Sequence, residues 1–172
     1  MKTIFQIIPA FLITGIMLSG CEYDKETHQQ QDSKGRVTGH SECKGLKSSN
    51  SSPGISDSLS CIEHSFDETT HKLLLKHINA GFNCCPGDLS CTVLIKNDTI
   101  TIQEAEQYKF CDCECLYDVD IEINNVEKQI YQIIFIEPYI GTQEPLNFTI
   151  DLRNEATGSY CVSRTQYPWA LL

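Results

Sequence analysis

Ten cysteines are the residues in this chain whose type and spacing carry chemistry. Three alternate in Cys111-Asp112-Cys113-Glu114-Cys115, three more gather at Cys84, Cys85 and Cys91, and Cys61 and Cys161 flank both groups. Grouped thiols either pair as disulfides or, as thiolates, hold a soft ion such as Zn²⁺ or Cu⁺. A metal set of Cys84, Cys85, Cys91, Cys111, Cys113 and Cys115 is the alternative. Structural zinc sites usually take two ligands from a Cys-x₂-Cys knuckle, and Cys-Cys and Cys-x-Cys match it poorly. Thiol-exchange catalysis lacks its Cys-x-x-Cys as well. Crosslinking is the better reading, with Cys61, Cys84, Cys85, Cys91, Cys111, Cys113, Cys115 and Cys161 as the disulfide candidates.

The element that must position these thiols is residues 111–123. Odd positions there are cysteine or apolar and even positions acidic apart from Leu116, which predicts a strand with one buried face and three inward thiols. Neighbouring cysteines on that face would stand about 6.8 Å apart, too far to bond, so each needs a partner on another strand. Cys84 and Cys85, about 3.8 Å apart at Cα, also pair elsewhere. The economical arrangement links the 84–91 turn to the 111–115 strand and leaves Cys61 and Cys161 for each other or for a cluster member. Cys43 reaching Cys61 is an alternative, and spacing does not decide connectivity. Each bridge would stabilise a small domain by about 2 to 4 kcal/mol.

Residues 1–20 read as an export signal, with Lys2 at the positive end and an apolar run over 4–18 interrupted by Pro9 and Gly15. Leu18-Ser19-Gly20-Cys21 resembles the lipobox of bacterial lipoproteins. The resemblance implies that Cys21 becomes the lipid-bearing first residue, joined by a thioether to diacylglycerol and acylated at its amino group, and several acyl chains hold a protein firmly on a bilayer. Glu22 follows in place of the Asp associated with inner-membrane retention, so the expected location is the outer membrane, facing the periplasm or the surface. Residues 21–58, rich in Gln, Ser, Lys and Asp, bury too little apolar surface to offset ordering and read as a disordered tether, with His28 and His40 solvated. As a coil of about 37 residues it would span on the order of 30 to 35 Å.

Residues 59–172 have the size and pattern of one small all-β domain. Strands are expected at 61–66, at 71–83 with a kink near Gly81, at 91–96, at 99–104, at 111–123, at 130–136, around Phe148 and at 159–163. Asn97-Asp98 is a two-residue hairpin turn that puts Val93 and Ile95 on one face with Ile100 and Ile102. Short strands with turns about every ten residues predict an antiparallel β-sandwich. The acidic alternation of 118–122, a turn, then 131–136 resembles the closing strands of immunoglobulin-like and fibronectin-like modules, which implies that kind of sandwich.

Other side chains give weaker signals. His64, His71 and His77 fall on predicted strands, where satisfied histidines outnumber ligands. Asp118, Asp120 and Glu122 could collect Ca²⁺ but read more simply as a solvated acidic face. Gly-x-Ser-x-Gly, phosphate-loop and His-Glu-x-x-His motifs are missing, so neither enzyme chemistry nor a cofactor is expected. Without residues 1–20 the chain keeps 12 basic and 23 acidic residues, which makes nucleic acid a poor partner. Residues 77–86 (His-Ile-Asn-Ala-Gly-Phe-Asn-Cys-Cys-Pro), 111–118 and Tyr167-Pro168-Trp169 are similar to uncharacterised cysteine-rich bacterial lipoproteins, a resemblance that implies no activity. The expectation is a membrane-anchored, non-catalytic module that binds a protein or glycan at the cell envelope, with periplasmic Zn or Cu binding through the clustered cysteines as the alternative.

Overall fold

The alternating pattern becomes nine strands and no helix in the computed structural model, which describes residues 34–44, 55–108 and 111–166. The strands are β1 Gly35–His40, β2 Leu59–Asp67, β3 Lys72–Asn83, β4 Leu89–Lys96, β5 Thr99–Glu106, β6 Glu114–Ile123, β7 Ile130–Ile136, β8 Asn147–Asp151 and β9 Thr157–Ser163. They form a five-stranded sheet ordered β1-β6-β3-β2-β9 and a four-stranded sheet ordered β4-β5-β7-β8. Ile62, Leu73, Leu75, Val119 and Ile121 from the first sheet share one buried core with Ile100, Ile102, Ile133, Phe135 and Ile150 from the second. The result is an antiparallel-dominated β-sandwich, as the pattern predicts.

The local turn chemistry follows the sequence closely. Asn97 takes φ of 55° in the two-residue β4–β5 turn, and the ladder aligns Val93 with Ile102 and Ile95 with Ile100. Asp67 closes the β2–β3 turn by accepting from Thr69 N at 2.8 Å and Thr70 Oγ1 at 2.7 Å.

Four expectations change. First, the segment expected to be a free tether contains β1, which pairs with β6 from Gly35 opposite Ile123 to His40 opposite Val119. β1 offers little apolar surface of its own; an available β6 edge and the bridge from Cys43 hold it there. Second, the cysteine strand starts at Glu114, so Cys111 and Cys113 precede it and only Cys115 lies on the buried face. Third, β5 and β7 run parallel, with Thr99 opposite Gln132. Alternation encodes which face is buried, not strand direction, so this pairing was not foreseen. Finally, the 124–129 turn carries the chain between sheets, placing β6 and β7 in different layers.

The irregularity of β3 falls at Asn79 rather than Gly81. The β3–β6 register shifts between His77 and Ala80, and Asn79 sits there, fully buried, at φ of 61°. Its side-chain NH₂ donates to Ser56 O at 3.1 Å and Leu59 O at 2.7 Å, while its Oδ1 accepts from Lys44 Nζ at 2.8 Å. Lys44 Nζ also meets Asp118 Oδ1 at 2.5 Å. One asparagine therefore satisfies the bulge, the entry into β2 and the segment after β1. Asn tolerates left-handed backbone and carries both donors and acceptor, so few residues can replace it. Asn79→Ala should cost about 2 to 3 kcal/mol in urea unfolding of the oxidised protein, because two carbonyls and a lysine lose their partner in a partly buried site. The exposed Asn125, at φ of 58°, isolates the backbone effect, and Asn125→Ala should cost about 1 kcal/mol.

Candidate functional site

The disulfide set is built on the five-stranded sheet. Cys43 pairs with Cys115, Cys61 with Cys161, Cys84 with Cys113 and Cys85 with Cys111, at Cα separations of 5.7, 4.1, 5.6 and 5.7 Å. Cys61 and Cys161 are direct cross-strand partners on β2 and β9. The vicinal pair reaches across to two alternate cysteines because β3–β6 pairing runs one step past the strand ends, where Cys84 N donates to Cys113 O at 3.0 Å. Asn83 shapes this turn: its Oδ1 accepts from Cys85 N at 2.9 Å, and its Nδ2 donates to Cys111 O at 2.5 Å.

Cys91 differs from expectation, being a free thiol, and Cys43 takes the place in the pairing that Cys91 was expected to fill. The six-cysteine metal set is not assembled either. Cys84, Cys85, Cys111, Cys113 and Cys115 are consumed in crosslinks, and a disulfide sulfur is not a thiolate ligand. Among the described residues, no three His, Cys, Asp or Glu side chains converge to hold a metal ion. Cys21 and Tyr167-Pro168-Trp169 lie outside the described residues.

A buried polar cluster that sequence reasoning missed joins the two sheets. Ser60, His77, Glu104, Glu137 and Arg164 are each at most 6% exposed. His77, on β3, places Nδ1 2.8 Å from Glu104 Oε1 on β5 and Nε2 2.9 Å from Ser60 Oγ on β2. Glu137, just past β7, lies 3.8 Å from His77 Nε2 and accepts from Arg164 Nη2 at 2.7 and 2.8 Å. Arg164 Nη1 donates to Glu144 O at 2.6 Å, tying the segment after β9 to the loop between β7 and β8. Parity carried the missed signal: Glu104 continues the inward series Ile100, Ile102, and His77 continues Leu73, Leu75.

Ser60, His77 and Glu104 stand in the order of a nucleophile, base and acid, but Ser60 is 0% exposed and its hydroxyl is closed off from solvent. The contact instead fixes a charge. Burial opposes the imidazolium, yet Glu104, through charge and hydrogen bond, and Glu137 outweigh it and hold His77 above its ordinary value. Cys91, opposite Glu104 in the β4–β5 ladder, responds conversely: burial and the Glu104 charge push its thiol up to about 12.

The other described histidines and the acidic face stand apart from this cluster, and among the described residues both ring nitrogens of His64 are buried without a hydrogen-bond partner. His71 sits in the β2–β3 turn at φ of 53°, exposed, rather than on a strand. His64 packs against Gly158, where an added Cβ would lie 2.7 Å from the ring, and burial lowers its pKa against the weaker pull of Glu155. On β6 each acid meets a cation: Asp118 with Lys44, Asp120 with Lys76 at 3.8 Å, and Glu122 with Lys72 at 3.0 Å and Arg36 at 3.4 Å. Beside them, on the outer face of the five-stranded sheet, is a shallow depression of about 410 Å³ whose border includes Thr38, Glu63, His64, Leu74, Lys76 and Asp120.

Fold and crosslinks together define a disulfide-stapled β-sandwich of an oxidising, extracytoplasmic compartment. No helix among the described residues is long and apolar enough to cross a membrane. No protein-family model matches the chain, nor does any curated protein or any solved structure.

Two measurements probe the site. The stabilisation from charged His77 is complete below the unfolded histidine value near 6.5 and is lost as pH rises through the higher folded value. Urea midpoints should therefore fall from pH 6.5 upward, and His77→Gln should flatten that limb; an unchanged slope in the variant would refute the assignment. His64, lowered on folding, acts in the opposite sense and only below 6.5. Alkylation followed by peptide mapping should label Cys91 slowly in the native protein and at once in denaturant, with Cys43, Cys61, Cys84, Cys85, Cys111, Cys113, Cys115 and Cys161 labelled only after reduction.

Proposed function

We propose that this chain is an exported lipoprotein, acylated at Cys21 and held at the outer membrane, whose β-sandwich is a non-catalytic binding module of the cell envelope. The observation that carries the reading is the set of four disulfides, which form and persist in oxidising compartments reached by export, taken with the lipobox-like residues 18–21. The depression around Leu74 supports a protein ligand, since its border sets an exposed leucine and the His64 ring among charged and hydroxyl side chains.

Metabolic labelling with an alkynyl fatty acid in a bacterium that processes lipoproteins tests the anchor. Label should enter the protein and follow outer-membrane fractions on a density gradient. Cys21→Ala should abolish both label and membrane association while leaving the disulfides intact. Label that persists in Cys21→Ala, or a wild-type protein recovered soluble and unlabelled, would sink the proposal.

A further inference from the structure

β9 is an open edge. Phe66 N donates to Ala156 O at 2.7 Å and Arg164 N to Ser58 O at 2.8 Å, so the even-numbered residues of β9 carry the hydrogen bonds to β2. Thr157, Ser159, Cys161 and Ser163 consequently aim their backbone N–H and C=O groups away from the sheet, and all four are exposed. Among the described residues no strand pairs with β9 on that side. The β2–β9 register runs without a bulge from Leu59 opposite Ser163 to Ser65 opposite Thr157.

Edges are normally blunted by charge, proline, bulges or shortness. β1 carries Arg36 and packs against β4, β4 carries Lys96, and β8 is five residues long and ends in Asp151. Thr157-Gly158-Ser159-Tyr160-Cys161-Val162-Ser163 has none of these protections.

We propose that β9 is a self-association edge on which a second copy of this chain adds its own β9 antiparallel across a twofold axis. Charge favours this occupant. The chain has an excess of ten acidic residues, and β9 is the edge strand on which two copies meet without a like charge. Centring the axis on Tyr160 sets Thr157 against Ser163 of the second copy and Ser159 against Cys161, which satisfies every outward backbone group; sliding by two residues loses a pair. Tyr160 is half-buried and stacks on Phe148 of β8, with centroids 4.6 Å apart and planes at 14°. On the axis the two Tyr160 residues form a close, non-hydrogen-bonded pair that prolongs this stack. A foreign peptide would need pockets for its alternate side chains, and the small residues Thr157, Ser159 and Ser163 provide none. One strand pair buries less than the ~1,200 Å² of a standard interface, so the dimer is weak and reversible.

Photo-oxidative dityrosine crosslinking of the full-length, oxidised protein in detergent, over a range of protein concentration, tests the proposal. The expected product is a concentration-dependent dimer linked Tyr160 to Tyr160. It should disappear in Tyr160→Phe and fall about ten-fold in Ser159→Lys, which sets two like charges across the axis, while the melting temperature of Ser159→Lys stays near wild type. Absence of dimer, linkage through other tyrosines, or indifference to Ser159→Lys would overturn it. So would a dimer that appears only after residues 167–172 are removed, since the chain's own C-terminus would then be the occupant of the edge.

Discussion

The four disulfides all join strands of one sheet or the segments flanking them, and the mechanical character of the domain follows from that constraint. Cys43–Cys115 fastens β1 to β6, the two bridges at Cys84 and Cys85 fasten the end of β3 to the approach to β6, and Cys61–Cys161 fastens β2 to β9. The neighbours without a bridge, β2 and β3, are joined by a tight turn and seven register pairs. The five-stranded sheet is therefore covalently continuous across its width. In the chain-entropy account, bridges spanning 72 and 100 residues remove more unfolded-state freedom than short ones would, so β1 and β9, the edges most prone to fray, are the ones held by the longest closures.

Among the described residues no disulfide crosses to β4, β5, β7 or β8, so the joint between the layers rests on the apolar core and on the buried polar cluster. That cluster is costly to assemble, because two carboxylates, an imidazole and a guanidinium leave water together. Its arrangement answers part of the cost: Glu104 and Ser60 flank His77, and Arg164 reaches both oxygens of Glu137, while Glu104 Oε2 has no hydrogen-bond partner among the described residues. An apolar core joins two sheets without fixing their alignment. Directional bonds from β3 to β5 and from the end of β9 to the end of β7 specify it at two points. The stapled sheet and the directional joint are complementary, one fixing strand order and the other fixing how the second layer sits upon it.

The sequence disclosed much of this fold and little of its polar interior, and the reason lies in the range of the forces. The β4–β5 hairpin was legible because Asn97-Asp98 and the alternating isoleucines act within about ten residues. The inward face of β6 was legible from Val119, Ile121 and Ile123 for the same reason. β1 was not, since Gly35-Arg36-Val37-Thr38-Gly39-His40 has one sizeable apolar side chain and becomes a strand only through partners some eighty residues away. Cys111 and Cys113 fit the alternation yet stand outside the strand, because crosslinks to the Cys84-Cys85 turn set their place. His77 and Arg164 lie far apart in the chain, and neither announces the other; only the inward parity of Glu104 and His77 was open to reading.

The acidic alternation of β6 shows how a local pattern can mislead about charge. Asp118, Asp120 and Glu122 look like the source of the chain's negative balance, yet lysines and an arginine from β3, β1 and the segment after β1 meet each of them. The net charge therefore resides on exposed loop positions such as Asp88, Asp98, Asp112, Glu144 and Glu155, where water solvates it. Charge placed there keeps copies of the domain apart from most directions, and it does the same against an anionic bilayer surface within a Debye length of about 8 Å. The β1 strand would make this repulsion matter under the proposed acylation at Cys21. With Gly35 already in the sheet, thirteen residues separate it from Cys21, and even a fully extended link of that length reaches only about 50 Å. Under the proposed acylation at Cys21, a domain held that close, repelled along its loops and uncharged along β9, would meet its neighbours most readily edge to edge.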